Sequence, residues 1–146
     1  MKKSGFSALE LLVVVGIIAL ISLISIPLLL NYQKTTKLRS EARVLATNLR
    51  LTQQLAITEQ KIYNLELFIS TNSYQVINSE TSEIIKDVTL DSEVSIYEVN
   101  DFTDNTVQYN ATGGVLKTGS IVLTNTKNEI STLRIKPSGY VEISEQ

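Results

Sequence analysis

The fold is decided near the start of the chain, by the stretch Lys2-Lys3-Ser4-Gly5-Phe6-Ser7-Ala8-Leu9-Glu10. It leads directly into residues 11–30, which carry no charged side chain. At about 1.5 Å of rise per residue, these twenty residues span roughly 30 Å as a helix, the thickness of a bilayer's hydrocarbon core. The stretch therefore predicts a membrane-spanning helix with a short basic leader.

Glu10 is the unusual residue, because its carboxylate lies at the head of this apolar run. An acidic side chain inside a membrane segment costs about 2.5–3.5 kcal/mol even on the most lenient insertion scale. Such residues normally have a partner and a function.

Cleavage between Gly5 and Phe6 would supply that partner. It would leave a new α-amine on Phe6, and such an amine, with a reference pKa of about 7.7–8, is largely cationic at neutral pH. In a medium of low dielectric constant, the Phe6 amine of one subunit would strongly attract Glu10 of a staggered neighbour. This pairing predicts a driving force for assembly, since each subunit alone would carry two poorly solvated charges.

The sequence of residues 5–15 resembles the type IV pilin and pseudopilin signature. That signature has a basic leader, a Gly before the cleavage point, Phe as the first mature residue and Glu as the fifth, all leading into an apolar helix. Ser7-Ala8-Leu9 departs mildly from the usual Thr-Leu-Ile. The resemblance implies a prepilin peptidase that cuts after Gly5 and methylates the amine of Phe6. It also implies other pilin or pseudopilin subunits, an inner-membrane assembly platform and the lipid bilayer as partners.

Motifs further along the chain are similar to those of the GspH/FimT pseudopilins, which are minor filament subunits. They are Asn48-Leu49-Arg50, Gln54-Leu55-Ala56-Ile57, Thr112-Gly113-Gly114, residues 119–125, Leu133-Arg134-Ile135 and Ser138-Gly139-Tyr140-Val141. The resemblance implies a minor pilin or pseudopilin of a type IV pilus or a type II secretion pseudopilus. Competence pseudopilins, which serve DNA uptake, have a similar helix end and remain an alternative.

Two other interpretations fit the N-terminus less well. A secretory signal peptide has a shorter apolar core and a small-residue cleavage site, which this stretch lacks. A plain single-span anchor leaves Glu10 unexplained. Basic residues flank the span on both sides, so charge does not fix its orientation. The expected location, the cytoplasmic (inner) membrane with the C-terminal part outside the cytoplasm, rests on the resemblance.

Composition limits the chemistry that this chain can perform. It has 146 residues, a net charge of −2, no cysteine and no histidine. The commonest general base, the thiol nucleophile and most transition-metal ligands are therefore missing. We expect no enzyme activity, no cofactor and no disulfide.

Charge is distributed unevenly. Residues 31–61 contain six basic and two acidic side chains, whereas residues 62–146 contain five basic and twelve acidic ones. The basic segment would suit anionic lipid headgroups, acidic surfaces of neighbouring subunits, or simply solvent.

The pattern divides the chain into four parts: a leader (residues 1–5), a transmembrane and assembly helix (6–30), an amphipathic continuation of that helix (31–61) and a β-rich domain (62–146). Gly16 and Pro27 are expected to soften the helix. By resemblance, the segment between them is expected to unwind in a packed filament, and to keep a modest kink in a lone subunit. The expected fold class is α+β, with the long helix packed on an antiparallel sheet.

Strands are predicted from alternating apolar residues between turn signals. They cover residues 62–69, 73–78, 84–90, 94–99, 120–124, 130–135 and 140–143. Residues 100–105 are predicted to form a loop, and residues 125–129 a hairpin turn.

Two groups of polar residues in the β-rich part have side chains that could bind a ligand. Asp101, Asp104 and Asn105 offer oxygen ligands for Ca²⁺, but their spacing favours an Asx-rich turn, so no metal is expected. Lys117, Lys127, Arg134 and Lys136 are candidates for a basic, DNA-binding tip. The acidic character of the surrounding sequence argues against that tip.

Overall fold

The computed structural model describes residues 7–145, and the predicted cleavage and methylation positions, Gly5 and Phe6, lie outside these residues. One long helix, α1 (Ala8–Glu59), is followed by eight strands. These are β1 (Tyr63–Phe68), β2 (Ser73–Asn78), β3 (Ile84–Thr89), β4 (Val94–Asn100), β5 (Thr106–Tyr109), β6 (Gly119–Asn125), β7 (Ile130–Ile135) and β8 (Val141–Glu145). A short 3₁₀ turn, Thr103–Asn105, precedes β5.

The strands form two antiparallel sheets of four, with the orders β3-β2-β1-β5 and β4-β6-β7-β8. The predicted α+β class is confirmed. The structure divides the expected sheet into two and adds β5, which the sequence analysis did not assign. This strand has only four residues, Thr-Val-Gln-Tyr, and its two buried side chains are too few for a clear alternation.

The chain separates into two units, residues 1–33 and residues 34–146. In the second unit, one row of α1 side chains faces the core. This inner row has the alternating spacing of four and three residues that keeps side chains on one helix face, and all six members are buried. It comprises Leu38, Ala42, Leu45, Leu49, Thr52 and Ala56.

The two sheets contribute alternate residues to the same core. β1 buries Tyr63, Leu65 and Leu67, and β6 buries Ile121 and Leu123. Burial of aliphatic and aromatic side chains, worth about 1.5–3 kcal/mol each, is the main stabilising term. The core has polar members that find partners: Asn48 donates to the Tyr74 hydroxyl at 2.6 Å. Burial raises the Tyr74 pKa to about 12.

The helix ends where the backbone of Gln60 turns into the left-handed region, with φ of 55°. The Lys61 amide then bonds the Ala56 carbonyl at 3.2 Å, which is the hydrogen bond of a Schellman motif. The Gln60 side chain donates to the Ile57 carbonyl at 2.7 Å. This local bonding stops the helix close to the predicted end without a glycine.

Candidate assembly surface

The first turn of α1 is capped by Ser7. Its hydroxyl accepts a hydrogen bond from the Leu9 amide at 3.3 Å, and its carbonyl accepts one from the Leu11 amide at 3.1 Å. The spacing of Ser7 and Glu10 also matches a capping box, a signal that the sequence analysis missed. In the described part of the chain, however, the Glu10 carboxylate makes no hydrogen bond and no ion pair. It is exposed and available to a group from another molecule.

The residues that follow Glu10 form an apolar helix segment that the other described residues leave uncovered. Ala8–Ile26 has a mean hydropathy of 2.8, and within residues 7–145 it is the one helix segment long and apolar enough to cross a membrane. Its large side chains are exposed, Leu12 and Leu23 each by 73%. Exposure of so many aliphatic side chains in water would be strongly unfavourable, so the segment fits a single-pass membrane anchor.

The basic residues at the start of the second unit are largely neutralised within the chain. Lys34 pairs with Glu93 at 3.5 Å, Lys37 with Asp91 at 3.0 Å, and Arg39 with Glu145 at 2.9 Å. The backbone amide of Glu93 and then the Lys37 ammonium lower the Asp91 pKa. The Thr126 hydroxyl is the main cause of the lowered Glu93 pKa. Half of the six basic residues in the predicted basic segment are therefore engaged by the acidic β-rich part.

A second cluster fixes the same end of the helix to the β6–β7 turn. Glu129 accepts hydrogen bonds from Lys127 at 3.0 Å, from Thr35 at 2.8 Å and from Asn125 at 2.8 Å. These donors, with Lys127 first, lower the Glu129 pKa to about 2. Lys127, a candidate for DNA binding, is thus occupied by a carboxylate of its own turn.

Of the other candidates for DNA binding, Arg134 and Lys136 line one pocket, at the opposite end of β7 from Lys127. Lys136 pairs with Glu142 at 3.0 Å and lies 5.6 Å from the centre of the Tyr140 ring. Lys117 donates to the Thr103 hydroxyl at 2.9 Å, and Arg134 is exposed on β7. Lys127 and Lys136 lie beyond opposite ends of β7, so the structure does not bring the four together. DNA binding remains a prediction that this geometry does not favour.

The loop whose residues could supply oxygen ligands contains three residues with a left-handed backbone. Asp101, Asp104 and Asn105 have φ values of 67°, 51° and 53°, a conformation that Asn and Asp tolerate better than most residues. Among residues 7–145, no group of three or more acidic, histidine or cysteine side chains lies close enough to hold a metal ion. The three residues fit the Asx-rich turn that the sequence favours.

A glutamine, Gln53, links the helix to two turns in a way that sequence reasoning missed. Its side-chain amide donates to the Gly113 carbonyl at 2.8 Å and to the Ser138 carbonyl at 2.9 Å. Gly113 and Gly139 both have positive φ, 83° and 80°. A Cβ on Gly139 would collide with the Gln53 side chain and with the Gly113 carbonyl. Gly113 and Gly139 are thus required by the close packing of their turns on Ile57 and Gln53 of α1.

The sequence matches no protein-family model, and no curated protein is significantly similar to it. Solved structures do resemble it. The minor pseudopilin EpsH from the type 2 secretion system of Vibrio cholerae superposes with a TM-score of 0.63 at 11% identity, covering 75% of this chain and 97% of that one. The type IV minor pilin FimU of Pseudomonas aeruginosa gives 0.62 at 9% identity, covering 77% and 92%. A second crystal form of FimU gives 0.58 at 10% identity, covering 73% and 92%.

The chain has a pilin-like fold. At these identities the likeness concerns the fold, and it covers nearly the whole length of each solved chain. The long helix packed on antiparallel sheets is the shared architecture.

Proposed function

We propose that this chain is a minor pilin or pseudopilin, a subunit that is processed, held in the membrane and assembled into a type IV pilus or a type II secretion pseudopilus. The observation that carries the proposal is the exposed Glu10 carboxylate, which has no partner among residues 7–145 and lies at the head of an uncovered apolar helix. Support comes from the pilin-like fold, because the similar structures are named as a minor pseudopilin and a minor pilin.

Processing would create the missing cation. A prepilin peptidase cuts after Gly5 and methylates the amine of Phe6, which retains its positive charge near neutral pH. Phe6 comes four residues before Glu10 in the sequence. The Phe6 amine of one subunit neutralises Glu10 of its neighbour, so that both charges are satisfied only in the assembled filament.

The proposed location follows from the same residues. Before assembly, the apolar helix crosses the inner membrane once, with the β-rich domain outside the cytoplasm, and the assembly platform takes the subunit from there. In the single chain, α1 is continuous through Gly16 and Pro27. We propose that this stretch unwinds only on packing, when neighbouring helices can satisfy the backbone groups that Pro27 leaves unpaired.

Intact-mass spectrometry of the protein extracted from membranes tests the proposal. We expect a species that begins at Phe6 and carries one added methyl group. Gly5→Lys should leave the uncut precursor in the membrane, whereas Ser4→Ala, which keeps the Gly–Phe bond, should be processed normally. A parent protein that retains its first five residues would contradict the proposed function.

A further inference from the structure

The outer face of α1 in the second unit carries a row of exposed polar side chains. We call it the outer row, and its members are Thr36, Ser40, Arg43, Thr47, Arg50 and Gln54. Their alternating spacing of four and three residues places them on one strip, opposite the buried inner row. This spacing gives a continuous strip along which another helix could lie.

Two cations in the outer row form no ion pair with the described residues. Among residues 7–145, neither Arg43 nor Arg50 forms an ion pair, although Lys34, Lys37 and Arg39 on the same helix all do. Arg43 and Arg50 are seven residues apart, so their guanidinium groups rise from the same face about 10.5 Å apart along the axis. Guanidinium groups are suited to bidentate hydrogen bonding with carboxylates.

The two arginines lie too far along the helix to be attracted to the headgroups of the bilayer. Arg43 and Arg50 lie about 14 Å and 24 Å further along the helix than Lys34, where the second unit begins. Attraction to lipid headgroups fades within a Debye length of about 8–10 Å. The cations closest to that end are already paired with Glu93 and Asp91.

A second copy of the same helix is also a poor match. Between Lys34 and the end of α1, the only acidic residues are Glu41 and Glu59, and neither belongs to the outer row. Parallel copies packed along this strip would place arginine near arginine, and like charges at an interface are costly.

From this charge pattern we infer that the outer row docks against a helix of a different filament subunit, one whose matching face carries carboxylates about seven residues apart. The inference rests on the proposed function and adds the identity of the contact surface and the chemistry of its partner. Exchanging the charges would change partner choice, because opposite charges attract the right neighbour and like charges exclude the wrong one.

The test uses the full chain in cells that assemble the filament. A photoreactive benzoylphenylalanine replaces Thr47, which lies between the two arginines, and the control carries it at Tyr97, a 67% exposed residue on β4. We expect a Thr47 adduct with a different subunit, through a peptide from an acidic helix, and no such adduct from Tyr97. The double variant Arg43→Glu/Arg50→Glu should lower the adduct yield roughly tenfold. Changing the partner's crosslinked acidic residues to lysine should restore it.

The mature N-terminus and the presence of the protein in filaments are measured in the same samples, together with the tyrosine circular dichroism of the double variant as a check of folding. A retained leader would overturn the proposed function itself. If the mature protein enters filaments, the docking inference is overturned by a Thr47 adduct with lipid or with another copy, by the lack of an adduct, or by a yield insensitive to charge reversal.

Discussion

The two halves of helix α1 illustrate two different ways for a sequence to use one element. In the first half, Ala8–Ile26, apolar residues occur on every face and all remain exposed, and Glu10 has no partner within residues 7–145. In the second half, one row is buried under both sheets and the opposite row is polar. The first half needs lipid or other subunits to cover its apolar side chains. The second half packs its inner row against the sheets of its own chain and leaves its outer row exposed to a neighbour.

Among the substitutions that test this comparison, one in the inner row should have the largest effect on stability. Leu49→Ala removes a fully buried side chain, and we expect a loss of about 2–5 kcal/mol in unfolding free energy. Urea unfolding of the full chain in detergent, followed by tyrosine near-ultraviolet circular dichroism, measures it. The matched outer-row variant, Gln54→Ala, should change stability by less than about 0.5 kcal/mol. Equal effects from the two variants would remove the distinction between the rows.

Substitutions at two glycines allow a direct comparison of the halves. Gly16 lies in the first half of α1, and Gly139 lies in a turn that packs against Gln53 of the second half. Gly139→Ala must accept a Cβ at φ of 80° against Gln53 and the Gly113 carbonyl, and we expect it to cost about 1–3 kcal/mol in the same unfolding assay. At Gly16, an added Cβ would meet nothing within 4 Å, so Gly16→Ala should cause no loss. If Gly139→Ala left the unfolding free energy unchanged, the close contact with Gln53 would not require glycine at this position.

Acid should loosen the Glu129 cluster. Its folded-state pKa is about 2, below the ordinary 4.5, so Glu129 contributes stability at neutral pH. This contribution is lost as the pH falls through the range from about 5 to about 2, where the unfolded state binds the proton more readily. Urea midpoints measured across this range should fall less steeply for Glu129→Gln. In Lys127→Ala, which removes the main cause of the shift, the loss should be smaller and should end at a higher pH. Acid profiles identical to the parent's would refute this role.

The smallest effect is expected at a surface ion pair. Arg39 and Glu145 are 2.9 Å apart, but both side chains are well exposed, 52% and 39%. Water screens such pairs, so a double-mutant cycle with Arg39→Ala and Glu145→Ala should give a coupling below about 1 kcal/mol. A larger coupling would mean that this contact, rather than the buried row, holds the helix to β8.

The sequence predicted the features that depend on local pattern. The apolar run, the inner row, seven of the eight strands and the Asx-rich turn all have periodicities or turn residues that can be read without a structure. The boundary between transmembrane and amphipathic parts at residue 30, and the roles of Gly5, Phe6 and Glu10, remain predictions.

What the sequence could not provide depends on contacts between distant residues. β5 became a strand because Val107 and Tyr109 pair with β1, far away in sequence. Gln53 acquired its role from two turns that arrive 60 and 85 residues later. The basic segment was predicted to face lipids, subunits or solvent, yet three of its members pair with Asp91, Glu93 and Glu145. Such pairings follow from the tertiary fold, which periodicity alone does not define.

The central claim is that Glu10 forms a charge pair with the Phe6 amine of a neighbouring subunit. It is tested most directly by measuring how much of this protein is present in sheared filaments. Glu10→Gln keeps the shape of the side chain and removes its charge, so we expect normal cleavage and methylation in the membrane and little or no protein in the filaments. Glu10→Gln present in filaments at the level of the parent protein would contradict the account.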